Sequence, residues 1–143
     1  MADQYTKSVH NSIRGHSGAN WLLWPATTGV PAVGAVLTSG AGAWGAAADI
    51  IAAAAIAAEH WIGGFFVDTF GVAQIFEIQI GNATPATGTF YEARLDPTAI
   101  TANLGFLPLP YPKWRAGGAQ TSGRAGGAAA KVVGVSALYS LAL

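Results

Sequence analysis

Pro108, Pro110 and Pro112 stand at every second position within LGFLPLPYPKWRAGGAQTSGRA, residues 104–125. Proline has no backbone N–H and a fixed φ, so three at this spacing exclude a helix interior and the centre of a sheet. What remains is an extended ribbon with one edge short of donors, either an edge strand or an extended connector. Proline on such an edge also blocks unwanted pairing with another sheet. A ribbon of this kind implies other strands to support it.

The rest of the chain supplies them. In VAQIFEIQIG (72–81), Phe76, Ile78 and Ile80 share one face, while Glu77 and Gln79 take the other. That period of two predicts a half-buried strand. TFYEARLD (89–96) repeats it, with Tyr91, Ala93 and Leu95 inward and Glu92, Arg94 and Asp96 outward. VGAVLTS (33–39), WIGGFFVDTF (61–70) and KVVGVSALYSLAL (131–143) read as further strands, the last with Val133, Val135, Ala137, Tyr139 and Leu141 on one face. Gly71 separates 61–70 from 72–81 as a hairpin turn would. The alanine-rich run WGAAADIIAAAAIAAEHW (44–61) has helical propensity, but its flanks are β-like. It is expected to form a strand over Trp44–Ala52, then a turn or short helix through Ala57.

Short strands with glycine-rich turns and no βα rhythm predict an all-β fold, a jelly-roll-like antiparallel β-sandwich. The 143 residues suggest one such domain over 21–143. It is preceded by a polar, extended N-terminal arm over residues 1–20.

Charge bears on partners. Only 10% of residues are charged, seven basic against seven acidic, where a soluble domain usually has about 25%. A surface this poor in charge points to cover by copies of the chain or by a partner. Lys113, Arg115, Arg124 and Lys131 are too dispersed for a phosphate-binding patch, so no nucleic acid is expected. The start lacks an apolar run, so no signal peptide is expected. The alanine-rich stretch 41–58 carries Asp49 and barely reaches the length of a membrane span, so no membrane is expected.

Chemistry-bearing patterns are sparse. Without cysteine there is no disulfide, thiolate metal site or cysteine nucleophile. His10 and His16 fall in the arm, and His60 follows Glu59 at the mouth of a strand; they do not make the three or four converging ligands of a metal site. Asp68 and Glu77 could face each other across the expected hairpin, but two like charges on a wet face read more simply as solvated groups. No GxSxG elbow or GxxxxGK[ST] loop occurs. No enzyme activity, cofactor or metal is expected. The aromatics say more: Trp21, Trp24, Tyr111 and Trp114 fall in proline-adjacent segments, and interfaces favour Trp, Tyr and Arg. Trp114 and Arg115 beside Tyr111 make a candidate anchor; the alternative is that these rings cap the sandwich within one subunit.

Residues 104–125 resemble the C-terminal part of small jelly-roll virion proteins of tailed phages. The shared pattern is a proline-spaced apolar strand, a glycine turn and a short strand ending in Arg-Ala. It is carried here by Pro108, Pro110, Pro112, Gly117, Ser122, Arg124 and Ala125. Upstream, Trp44, Ile78, Ile80 and Gly81 resemble the tryptophan-led strand and IxIG ending of such proteins. KWRAGG stands where a plainer PAG turn is usual. The resemblance implies a capsid decoration (cement) protein on the capsid exterior, a homo-oligomer with a trimer favoured, whose partner is the major capsid protein. Two other readings stand beside it. One is a receptor- or carbohydrate-binding head or tail fibre module using Trp114, Tyr111 and Gln120. The other is a self-assembling coat or filament subunit built on the alanine-rich segment as a long helix.

Overall fold

Period-two burial organises this chain, and the positions where it holds become the strands that build two facing layers. The computed structural model describes residues 21–25, 34–71, 74–97 and 106–142; the expected arm over 1–20 lies outside the described residues. Eleven strands occur among these: β1 (Leu22–Trp24), β2 (Ala35–Thr38), β3 (Gly40–Ala41), β4 (Ala43–Trp44), β5 (Ala48–Ile51), β6 (His60–Phe70), β7 (Phe76–Gly81), β8 (Thr89–Leu95), β9 (Phe106–Arg115), β10 (Thr121–Gly127) and β11 (Val132–Leu141). One sheet runs β1–β11–β6–β9, with β2 also on β11; the other runs β4–β3–β10–β7–β8, with β5 also on β10. Every pairing is antiparallel except β3 with β10. The fold is an all-β sandwich.

The pairings nest. β7 pairs β8, β6 pairs β9, β5 pairs β10 and β2 pairs β11. Each successive pair encloses the previous one in sequence, and consecutive pairs fall in alternate sheets. The core lies between the sheets. Leu37, Phe65, Val133 and Val135 come from the five-stranded layer; Ile51, Phe76, Ile78 and Ile80 come from the six-stranded layer, and all eight are fully or almost fully buried. Two aromatic contacts bridge the layers, Phe65 to Tyr91 at 5.7 Å and Phe70 to Phe76 at 5.5 Å between ring centroids.

Where the chain changes sheets, side chains satisfy the backbone. Ser39 lies between β2 and β3, at one such switch, and is 2% exposed. Its Oγ donates to the Ala129 carbonyl at 2.6 Å and accepts from the Lys131 N–H at 3.0 Å. Gln74 completes the joint by donating to Ser39 Oγ and to the Ala129 carbonyl, and by accepting from the Ala129 N–H. One serine and one glutamine thus pin the crossing before β3 to the crossing between β10 and β11. Buried backbone groups left unpaired there would each cost about 1–3 kcal/mol.

Several sequence expectations change. Gly71 is no hairpin turn: β6 and β7 belong to different sheets, so Gly71 begins a crossing between layers. Asp68 and Glu77 therefore do not lie on paired strands, and the Asp68 side chain is outside the described residues. The strand expected over 44–52 is broken into β4 and β5, because Gly45 donates its N–H to Ala125 instead of continuing the strand. A Cβ on Gly45 would sit 1.8 Å from the Thr38 carbonyl oxygen, so the chain passes there only without a side chain. Of the two forms expected after that strand, residues 52–57 take the turn, and no helix occurs among the described residues. Leu141 shares the inward register of β11 but is 42% exposed, because the strand outruns the core.

The proline ribbon becomes β9, the edge of its sheet, as its missing donors require. Pro108 opposes Gly64 and Lys113 opposes Ile62, so residues 109–112 bulge out opposite Gly63 alone. After the turn at Gly117 and Gly118, where Gly118 adopts φ +73°, β10 continues past Arg124-Ala125 to Gly127. The short strand ending at Arg-Ala is thus longer than expected.

Candidate functional site

The two outer faces of the sandwich differ in kind. On the five-stranded sheet, register sets Val36 opposite Gly134, Leu23 opposite Leu138, Val132 opposite Thr38, and Phe66 opposite both Ser136 and Phe106. These alternate with the core residues and so face outward. Val36 is 50% exposed, Phe106 41%, Leu23 40% and Val132 37%. Phe66 and Phe106 stack at 4.9 Å. None of the described side chains in this set is ionisable. Leu23, Val36 and Phe106 stand on β1, β2 and β9 at the two sides of this sheet, while Ser136 on β11 between them is buried; apolar side chains grouped on one face in this way are common on partner-binding surfaces.

The outer face of the six-stranded sheet is polar and internally wired. Register places Glu77 beside Gly126 and Arg94, and Gln79 beside Arg124 and Glu92. Arg124 Nε donates to Gln79 Oε1 at 2.8 Å, and Gln79 Nε2 donates to Glu92 Oε1 at 2.6 Å. The Arg124 guanidinium lies 4.7 Å from the centroid of the Trp44 ring. Further along, Ser122 Oγ donates to Asp49 at 2.9 Å, and Gln120 Nε2 donates to both Asp49 and Ser122.

Of the residues singled out from sequence, Trp21, Tyr111 and Trp114 fall beside residues 61–63 of β6, while Trp24 and Arg115 are engaged elsewhere. Trp21 is half-buried, its ring 2.7 Å from where a Gly63 Cβ would stand. Trp24 packs against the core and meets Tyr139 edge-on at 6.4 Å; the Trp24–Pro25 peptide is cis. Tyr111, at the tip of the β9 bulge, is 85% exposed. Trp114 is half-buried opposite Trp61. Arg115 is half-buried, donates to the Gln120 carbonyl and lies 5.5 Å over the Phe90 ring; burial holds its pKa below the usual guanidinium value. Trp24 and Arg115 are thus engaged within the chain, while Tyr111 projects from it. The Gln120 side chain is committed to Asp49 and Ser122.

Alternation alone does not place Trp44 on a face of the sandwich. It lies in an alanine-rich run without alternation, and its neighbours come from β7, β8 and β10. Part of the signal was present: Glu77, Gln79, Glu92 and Arg94 occupy outward positions of adjacent alternating strands.

His60 is fully buried at the start of β6. Its Nδ1 lies 3.0 Å from the Ala58 carbonyl, so the neutral ring donates there, and Nε2 has no hydrogen-bond partner. Tyr139 meets the ring edge-on at 6.2 Å. Burial pushes the His60 pKa below its ordinary value; the Ala58 bond opposes this, and the Arg115 charge reinforces it. The unfolded chain therefore takes up this proton first. The contribution is whole above the unfolded value of about 6.5 and is lost as pH falls through the folded value. The melting temperature should drop between about pH 7.5 and about pH 5.5, and His60→Gln should flatten that part of the profile. An unchanged slope in the variant would assign the effect to other groups.

No group of three or more metal-ligating side chains occurs among the described residues. Nor does any helix among them have the length and apolarity to cross a membrane. The chain matches no protein-family model, no curated protein and no solved structure.

Proposed function

We propose that the sandwich is a jelly roll and that the chain is a non-enzymatic structural virion protein, a capsid decoration protein. The nested pairing of β2 with β11, β5 with β10, β6 with β9 and β7 with β8 supports the first part. A long antiparallel hairpin rolled into two sheets has that order. The observation that carries the function is the outer face of the five-stranded sheet, where Leu23, Val36, Phe106 and Val132 are exposed and none of the described outward side chains is ionisable. Its occupant is an apolar surface of the major capsid protein on the shell exterior, and the chain sits there as a homotrimer, in keeping with the resemblance of residues 104–125.

The mechanism is mechanical. Each copy lies across joints between shell subunits, and burial of its apolar face adds to the free energy that holds them together. A stable contact of this kind buries about 1,600 Å² in all, and linked copies raise retention through avidity. Cosedimentation of the purified chain with particles that lack it tests the reading. Saturable pelleting with the shells supports it; a chain left wholly in the supernatant refutes it.

The filament reading loses its structural basis, since residues 44–61 hold two short strands, turns and the start of β6 rather than a long helix.

A further inference from the structure

We propose that the outer face of the six-stranded sheet carries a saccharide-binding groove centred on Trp44. A groove of about 540 Å³ lies against Trp44, Ile75, Glu77, Gly126 and Gly127. A second hollow of about 250 Å³ adjoins it, lined by Trp44, Glu77, Glu92 and Arg94. Trp44 and Glu77 belong to both, so the two form one continuous depression across β4, β10, β7 and β8. The larger hollow falls within the usual size range of small-molecule sites, about 300–1,000 Å³.

The local sequence keeps this depression open and its walls fixed. Gly126 forms part of the floor beside the indole; a Cβ there would stand 3.3 Å from Trp44 Cε3. Arg124 holds the ring from its own strand, two residues before Gly126. The Arg124–Gln79–Glu92 chain of hydrogen bonds fixes three polar side chains before any ligand arrives. Such preorganisation lowers the ordering cost of binding.

The chemistry selects the ligand class. A pyranose ring offers an apolar C–H face and a rim of hydroxyls that both donate and accept. Trp44 and Ile75 supply apolar walls, and Ile75 is 41% exposed. Glu77 and Glu92 accept from hydroxyls, and Arg94 donates. Carboxylates and guanidinium groups are interspersed, which gives no excess of positive charge for a nucleic-acid backbone. The groove lies on the opposite layer from the apolar face, so a chain docked by the five-stranded sheet would present it outward. The inference does not depend on that docking.

A glycan array probed with the labelled full chain tests it. The wild type should bind a subset of neutral glycans. Trp44→Ala should weaken binding at least tenfold, Trp44→Phe should retain most of it, and Glu77→Gln should weaken it without removing the apolar wall. Thr38→Ala, at an exposed position on the other sheet, should leave binding unchanged. Near-native circular dichroism and melting of Glu77→Gln separate loss of contact from loss of fold. A wild type that binds no glycan, or binding indifferent to both Trp44→Ala and Glu77→Gln, would overturn the proposal. Retention on particles is read separately, so failure of this groove and failure of the decoration reading are distinguishable.

Discussion

A chain carrying Leu23→Lys and Val36→Lys should lose its hold on particles by at least about 100-fold in affinity. Both side chains lie on the apolar outer face, 40% and 50% exposed, on strands that, among the described residues, pair only β11. Lysine on an exposed edge is well tolerated by the free protein. Surface substitutions of this sort usually change stability by no more than about 0.5 kcal/mol each. In a docked interface the same two ammonium groups would be desolvated against apolar surface with no counter-charge, and that cost falls wholly on the bound state. Cosedimentation checks it, with a thermal melt to establish that the free variant is folded. Undiminished pelleting of the folded variant would remove this face from the interface.

Phe65→Ala should cost about 3–5 kcal/mol of folding stability. Phe65 is fully buried on β6, opposes Ala137 and reaches across to Tyr91 on the other sheet. Truncation removes a ring that both layers close upon, and the small neighbour Ala137 gives little material to fill the space. Urea unfolding checks the magnitude. A loss below about 1.5 kcal/mol would mean that the layers can collapse onto the vacancy, which a tightly packed interface between sheets does not readily permit.

Local pattern carried much of the fold. Phe76, Ile78 and Ile80 alternate with Glu77 and Gln79, and each falls on the side that alternation assigns. The three prolines required an edge, and β9 is one. Sheet membership was not legible, because a strand's alternation says which residues face inward but not which layer the strand joins. Gly71 shows the difference: hairpin turn and interlayer crossing look alike in a short window, and the choice is made by β9 and β11, distant in sequence. The alanine-rich run failed for another reason. Its small side chains carry little periodic signal, and the break at Gly45 is imposed by close approach to Thr38. The Trp44 depression was invisible for both reasons, since its walls come from separate strands and its floor from glycine. His60 read as an ordinary polar residue because nothing nearby in sequence announces that Tyr139 and Arg115 close over it.

The central claim is that the apolar outer face of the five-stranded sheet grips the shell by burial. Release of the chain from intact particles across a salt series tests it most directly. Screening is already severe at about 1 M, where charges interact over only about 3 Å. The account predicts that the chain stays bound from low to molar NaCl; progressive stripping as salt rises would show an electrostatic grip and contradict it.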